Sequence, residues 1–174
     1  ERGGVAMRAA ALTHRAVDLA LEAAASAVGG RSVAVAAVLS PLDEQGPSVS
    51  PLRTPTTRAI GEEHHEHALR LGSAGCHLIV VEAMPTLIES VAATSAARAA
   101  MPAVWTTIAL RDRAHLRDGT PLDLAATVFT AAGARAILVE GPTQESRLGA
   151  LDALGTIGLG VLLGARTSAR GTEG

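Results

Sequence analysis

The chain reads as an α/β domain on a parallel sheet, and three observations lead there. Apolar runs begin near residues 33, 77, 103, 135 and 159, helical stretches alternate with them, and the runs are short and nearly continuous in their apolar character. Such runs fit strands covered on both faces, the product of successive βα units. With 174 residues, 48% of them apolar, there is material for one sizeable core. We expect a single domain over residues 1–165 and a disordered tail over 166–174.

Residues 5–28 are rich in Ala and Leu, place Leu12, Ala16, Leu19, Ala20 and Ala23 on one face, and stop at Gly29-Gly30. They predict a first helix. The run 32–39 predicts a first strand ending at Pro41. Residues 40–56 hold four prolines among Ser, Gly and charged residues, which predicts a long exposed loop of the kind a compact domain keeps for function. A helix over 57–73 closes at Gly75, and a strand follows over 77–83. Thr86 and Glu89 have capping-box spacing, with the carboxylate reaching back to the cap, and Leu87, Ile88, Val91 and Ala92 share the next helix face. Strand 103–110 runs through an Arg- and Asp-rich turn to Thr120-Pro121-Leu122-Asp123, a cap, a first-turn proline and an acid. Leu122, Ala125, Ala126 and Phe129 then repeat at helical spacing as far as Gly133. Strand 135–140, helix 143–154 ending at Gly155 and a last strand over 159–163 complete the pattern.

The balance of charge narrows the partners. Formal charge is −2 and all 15 basic residues are scattered Arg, so no nucleic-acid partner is expected. No apolar run approaches about 18 residues and no signal-peptide pattern is present, which excludes a membrane partner of the helical kind and makes the cytoplasm the expected location. Cys76 is the sole cysteine, so no internal disulfide forms. No Gly-rich phosphate fingerprint follows the first strand, where Leu39-Ser40-Pro41-Leu42 stands instead.

Three residues are candidate ligand groups. Glu82 ends the second apolar run, and a carboxylate at the C-terminal end of a buried strand packs poorly and binds well; an ion pair with one of the Arg residues is the alternative. Glu140 holds the same position two strands on. Thr106, on the strand between them, is either a ligand hydroxyl or one satisfied by a backbone carbonyl. A fourth possibility is metal binding by His64 and His67, a helical turn apart in Glu63-His64-His65-Glu66-His67. Against it, His64 is in line with Ile60, Ala68 and Leu71 on the apolar stripe.

Five strands are too few for a closed eight-stranded barrel, which takes about 250 residues, so the sheet is either doubly wound or a piece of a barrel. Several segments favour the piece. Ala37-Val38-Leu39-Ser40-Pro41 ends the first strand. Ala74-Gly75-Cys76-His77-Leu78 leads to Glu82-Ala83-Met84-Pro85-Thr86-Leu87-Ile88-Glu89. The stretch 102–106 reads Pro-Ala-Val-Trp-Thr, and Leu116-Arg117-Asp118-Gly119-Thr120-Pro121-Leu122 is the most specific. From about Arg8 to Leu163 this series resembles the homocysteine-binding barrel of the homocysteine S-methyltransferases.

The resemblance implies a partial TIM barrel, strands three to seven of eight, and a small-molecule thiol or amino acid as ligand. Methyl transfer to a thiol such as homocysteine would be the activity, with Glu82 pairing with the ligand's amino group. It also implies a zinc held by three cysteine thiolates, which ionises the acceptor sulfur. The first of those positions here is Gly141, after Val139-Glu140, and the family's Gly-Gly-Cys-Cys pair has no counterpart before Gly174. A degenerate zinc site follows, no cofactor is assigned, and the alternative function is a non-catalytic homologue that binds or supports. The chain opens at Glu1 directly in a helical pattern, which suggests a segment of something longer. An open piece of barrel exposes sheet edges and apolar faces, so self-association is expected.

Overall fold

Each apolar run becomes a strand in the computed structural model, which describes residues 2–27, 32–42 and 56–167. The elements alternate as α1 (Arg2–Ala25), β1 (Ala36–Leu39), α2 (Thr57–Ser73), β2 (Leu78–Val81), α3 (Leu87–Ala100), β3 (Val104–Ala109), α4 (Leu122–Ala131), β4 (Ala136–Glu140), α5 (Gln144–Ile157) and β5 (Leu162–Arg166). The strands pair in chain order, every neighbour parallel. This is the α/β alternation and open sheet that the sequence predicts. No helix among the described residues is long and apolar enough to cross a membrane.

The sheet has two unlike faces. Ala37, Leu39, Ile79, Val81, Val104, Ile108, Ile137 and Val139 are buried under the helices. Their alternates Val38, Val80, Trp105, Leu138 and Leu162 point the other way, to an inner face where Leu162 is 68% exposed and Trp105 37%. The core is divided along the sheet. One cluster joins β1 and β2 to α2 and α3, and a second joins β3 and β4 to α4 and α5 around Phe129.

Several local expectations change. The helix α1 buries Val17, with Leu21 packed beside it, while Leu12 and Leu19 lie exposed; an Ala-rich helix is apolar all round, so periodicity alone cannot choose its stripe. On α3 the buried residues are Glu89, Ser90, Ala93, Thr94, Ala96 and Ala97, and Ile88 is exposed. Small residues win that face because α2 comes close: a Cβ on Gly72 would lie 3.0 Å from the carbonyl oxygen of Ala100.

Helix α4 begins one residue later than expected, with Pro121 at the cap position and no side-chain cap bond. The α5 helix runs through Gly155 to Gly158, which adopts φ 70°. A helical glycine costs only about 1 kcal/mol, whereas a left-handed one ends the helix. The last strand is accordingly 162–166 instead of 159–163, and Arg166, expected at the head of a disordered tail, closes β5. The Gly29-Gly30 stop, most of the proline-rich loop, and residues 168–174 lie outside the described residues.

Candidate functional site

All five strands run the same way, so their C-terminal ends share one rim, the edge where parallel α/β sheets keep ligands. The parallel register sets out rows. Leu39 pairs with Val81, Val81 with Thr106, Thr107 with Leu138, and Leu138 with Gly164. These first two ladders end there, and Ser40, Glu82 and Thr107 are the residues that directly follow their last pairs, while Leu138 and Gly164 continue the row from Thr107. The next row holds Ala109, Glu140 and Arg166.

Glu82 is half-buried at the centre of this rim. Its Oε2 accepts a hydrogen bond from Ser40 Oγ at 2.9 Å, and its Oε1 accepts one from Arg166 Nη2 at 3.3 Å. The second contact crosses the sheet. β2 and β5 are three strand spacings apart, about 14 Å in a flat sheet, and two long side chains reach across the inner face to close that span. Glu140, directly beside Arg166 in the ladder, makes no ion pair among the described residues.

Thr106 turns away from the rim. Its Oγ1 lies 3.1 Å from Thr94 Oγ1 on α3, and both residues are fully buried on the helix side. The next residue takes the inner face. Thr107 is 1% exposed and its Oγ1 has no hydrogen-bond partner. The alternation of side chains along β3 carried that signal, since two adjacent threonines must face opposite ways.

The histidine pair does not make a metal site. His64 is fully buried between α2 and α3, with Nε2 3.2 Å from Glu89 Oε1. That same oxygen accepts from the Leu42 amide at 3.1 Å. Glu89 therefore closes no capping box: Thr86 caps α3 by accepting from the Glu89 amide, and the carboxylate goes to His64. The hydrogen bond from His64 outweighs the cost of burial and holds the Glu89 carboxyl below its usual range. His67 stands half-buried one turn on, its pKa lowered by burial and by Arg70. Among the described residues no group of three or more His, Cys, Asp or Glu could hold a metal.

Gly141 follows β4 where the resemblance implies the first thiolate, and the space beside it is filled. A Cβ there would lie 2.8 Å from Ser146 Oγ, 3.2 Å from Leu110 Cδ1 and 3.3 Å from Arg147 Cγ. Arg147 Nη1 also donates to the Gly141 carbonyl at 2.7 Å. Cys76 cannot substitute. It is buried ahead of β2, at the opposite end of the strand from the rim, donates to the Leu71 carbonyl, and burial pushes its thiol pKa up.

The segment 116–122 also has a physical reading. Asp118 Oδ2 accepts from the Leu87 amide at 2.9 Å and Oδ1 from the Thr120 amide at 2.9 Å. A carboxylate on the first turn of α3 is favoured by the helix dipole, and it pins the loop after β3 to its neighbour at the rim. Burial works against its charge, but these amides hold its pKa below the usual value.

Comparison with known proteins agrees with this architecture. Residues 1–166 match the family model for homocysteine S-methyltransferase. The apo form of the Escherichia coli homocysteine methyltransferase MmuM superposes with a TM-score of 0.73 at 21% identity, over 94% of this chain and 71% of that one. Its metallated form gives 0.75 at 21% identity, over 94% and 68%. At that identity the likeness to the solved structures is one of fold. A search among curated proteins finds no match. The open sheet is thus part of a TIM-type barrel, and the chain belongs to the homocysteine S-methyltransferase family.

Proposed function

We propose that this domain binds a small thiol amino acid of the homocysteine type at the rim, with Glu82 receiving its ammonium group, and that it does so without a thiolate-bound zinc. The observation that carries the reading is the placement of Glu82: a half-buried carboxylate on the inner face at a strand end, oriented by Ser40, where a cation entering the rim would meet it. The surroundings of Gly141 support the second half. No sulfur donor stands there, and a side chain would displace Ser146, so the residues present do not fit the metal.

The consequence is chemical. A free thiol has a pKa of about 8.5 and is only a few per cent thiolate at neutral pH, and the thiolate is the nucleophile. Glu82 neutralises an amine; it does not ionise a sulfur. The reading is therefore a binding domain that has lost the family's means of activating its acceptor. Its exposed inner face, with Val38, Trp105 and Leu162, supports self-association of the isolated chain, which sedimentation would show as species heavier than the monomer.

The test is metal analysis and turnover on the same purified sample. The expected result is well under one zinc per chain and no methionine formed from homocysteine and a sulfonium methyl donor, with or without added zinc. One equivalent of zinc together with steady methionine production would refute it.

A further inference from the structure

The buried pair of His64 and Glu89 is oddly made for groups that only pack. His64 stands on the apolar stripe of α2 with Ala68 and Leu71, yet its ring makes a single hydrogen bond, from Nε2 to Glu89 Oε1, and Nδ1 has no partner among the described residues. An ionised carboxylate only accepts, so Nε2 carries the hydrogen. An apolar pair of similar volume is often as stable as a buried charged one, or more so, so packing alone gives no reason for these two residues. The reason lies with a third partner. Glu89 Oε1 also accepts from the Leu42 amide at 3.1 Å. Pro41 has no amide hydrogen, which makes Leu42 the first backbone donor after Ser40, and Ser40 Oγ is the group 2.9 Å from Glu82 Oε2.

We propose that His64 and Glu89 are positioning residues for the rim: His64 fixes the Glu89 carboxylate, Glu89 fixes the turn after β1 through the Leu42 amide, and that turn fixes the Ser40 hydroxyl on Glu82. The inference rests on the reading of Glu82 given above and adds what holds its partner in place. Glu82 directly follows β2 and Glu89 lies on the first turn of α3, so the two acceptors flank one β2–α3 connection. Their donors, Ser40 and Leu42, both follow β1. The segment after β1 is therefore held at two points against the connection beside it, and His64 braces the second point from α2. A hydroxyl on a segment held at one end only is poorly aimed. The carboxylate it no longer fixes must then be ordered by the ligand, which lowers affinity.

Variants of the full chain test it, each read by its unfolding midpoint, by the resonances of the ligand-free protein and by calorimetric titration with reduced homocysteine. In the double variant His64→Leu/Glu89→Met the pair becomes apolar, so the midpoint is expected to hold or rise. The Leu42 amide should nevertheless lose its protection from exchange, the carboxyl carbon of Glu82 should shift, and homocysteine should bind roughly five- to tenfold more weakly. Leu42→Pro removes the amide donor while leaving His64 and Glu89 in place, and should move the Glu82 resonance in the same way. Glu89→Gln keeps a carbonyl oxygen for the Leu42 amide and should retain the wild-type Glu82 resonance, with affinity within about twofold. Phe129→Leu, in the other core cluster, should lower the midpoint and leave resonance and affinity unchanged. A Glu82 resonance unmoved in the folded double variant or in Leu42→Pro, or affinity that simply follows the midpoint across the set, would overturn the positioning role while leaving Glu82 as the amine partner. Failure of the wild type to bind homocysteine would instead overturn the reading of Glu82, and the Glu82 resonance would still decide whether the pair positions it.

Discussion

Thr106 and Thr107 are neighbours in sequence and equals in burial, yet they belong to different worlds. Thr106 faces α3, where its hydroxyl meets Thr94, and not far off Glu89 ties His64 to the Leu42 amide. Thr107 faces the inner side, where its hydroxyl meets nothing and the next strand offers the Glu82 carboxylate at the rim. On the helix side, buried polar groups are matched to one another, with His64 Nδ1 the only buried nitrogen left over among the described residues. On the inner side Thr107 is unmatched, and Glu82 is held by Ser40 and by the part-exposed Arg166.

The comparison can be broken most forcefully at Glu89. Glu89→Ala leaves His64 buried without its carboxylate, and a buried group hydrogen-bonded to a charged partner loses about 3 kcal/mol in that way. Urea unfolding at neutral pH should record a loss of that order. The same pair gives a pH signature. Glu89 has its pKa depressed in the fold, from 4.5, chiefly by the His64 hydrogen bond, so its contribution is complete above that unfolded value and fades as pH falls through the lower, folded one. Asp118 adds to the same limb. Stability of the wild type should therefore drop below about pH 4.5 more steeply than that of Glu89→Gln, and parallel acid limbs would deny the pair its role.

A smaller effect sharpens the contrast between the threonines. Thr106→Val removes the hydroxyl that meets Thr94 Oγ1, which keeps its own bond to the Ser90 carbonyl, and should cost about 1 kcal/mol for the lost hydrogen bond, whereas Thr107→Val removes a hydroxyl that had no partner and should be neutral or slightly stabilising. Equal losses at the two positions would mean that the faces do not differ. Smallest of all is Glu82→Gln. Its ion pair with Arg166 is part-exposed on both sides, so unfolding free energy should change by less than about 1 kcal/mol even though ligand affinity falls.

Much of the fold was readable from the sequence because the strands are short apolar runs and the helix breaks are marked. α2 came out with the predicted bounds, and α4 buried Leu122, Ala125, Ala126 and Phe129 as their spacing implied. Where residues were ambiguous the reading slipped. Alanine gives α1 and α3 no single apolar stripe, and Gly155 resembles a stop until Gly158 takes the left-handed turn. At the rim, Glu82 and Glu140 were found because a carboxylate ends each strand. Arg166 was missed because nothing local distinguishes a last strand residue from the first residue of a tail; its partner Glu82 lies 84 residues away. Glu89 was mistaken for a capping acid because its partner His64 is 25 residues away, beyond any local pattern.

The account turns on a rim that binds an amino acid through Glu82 with no metal. Its most direct test is titration of the chelator-treated chain with homocysteine, followed by amide chemical shifts, in wild type and Glu82→Gln. Saturable shifts confined to the strand ends around Ser40, Glu82, Thr107 and Arg166, lost in the variant and unchanged by added zinc, are the predicted result. Binding that appears only when zinc is restored, or that survives intact in Glu82→Gln, would contradict it.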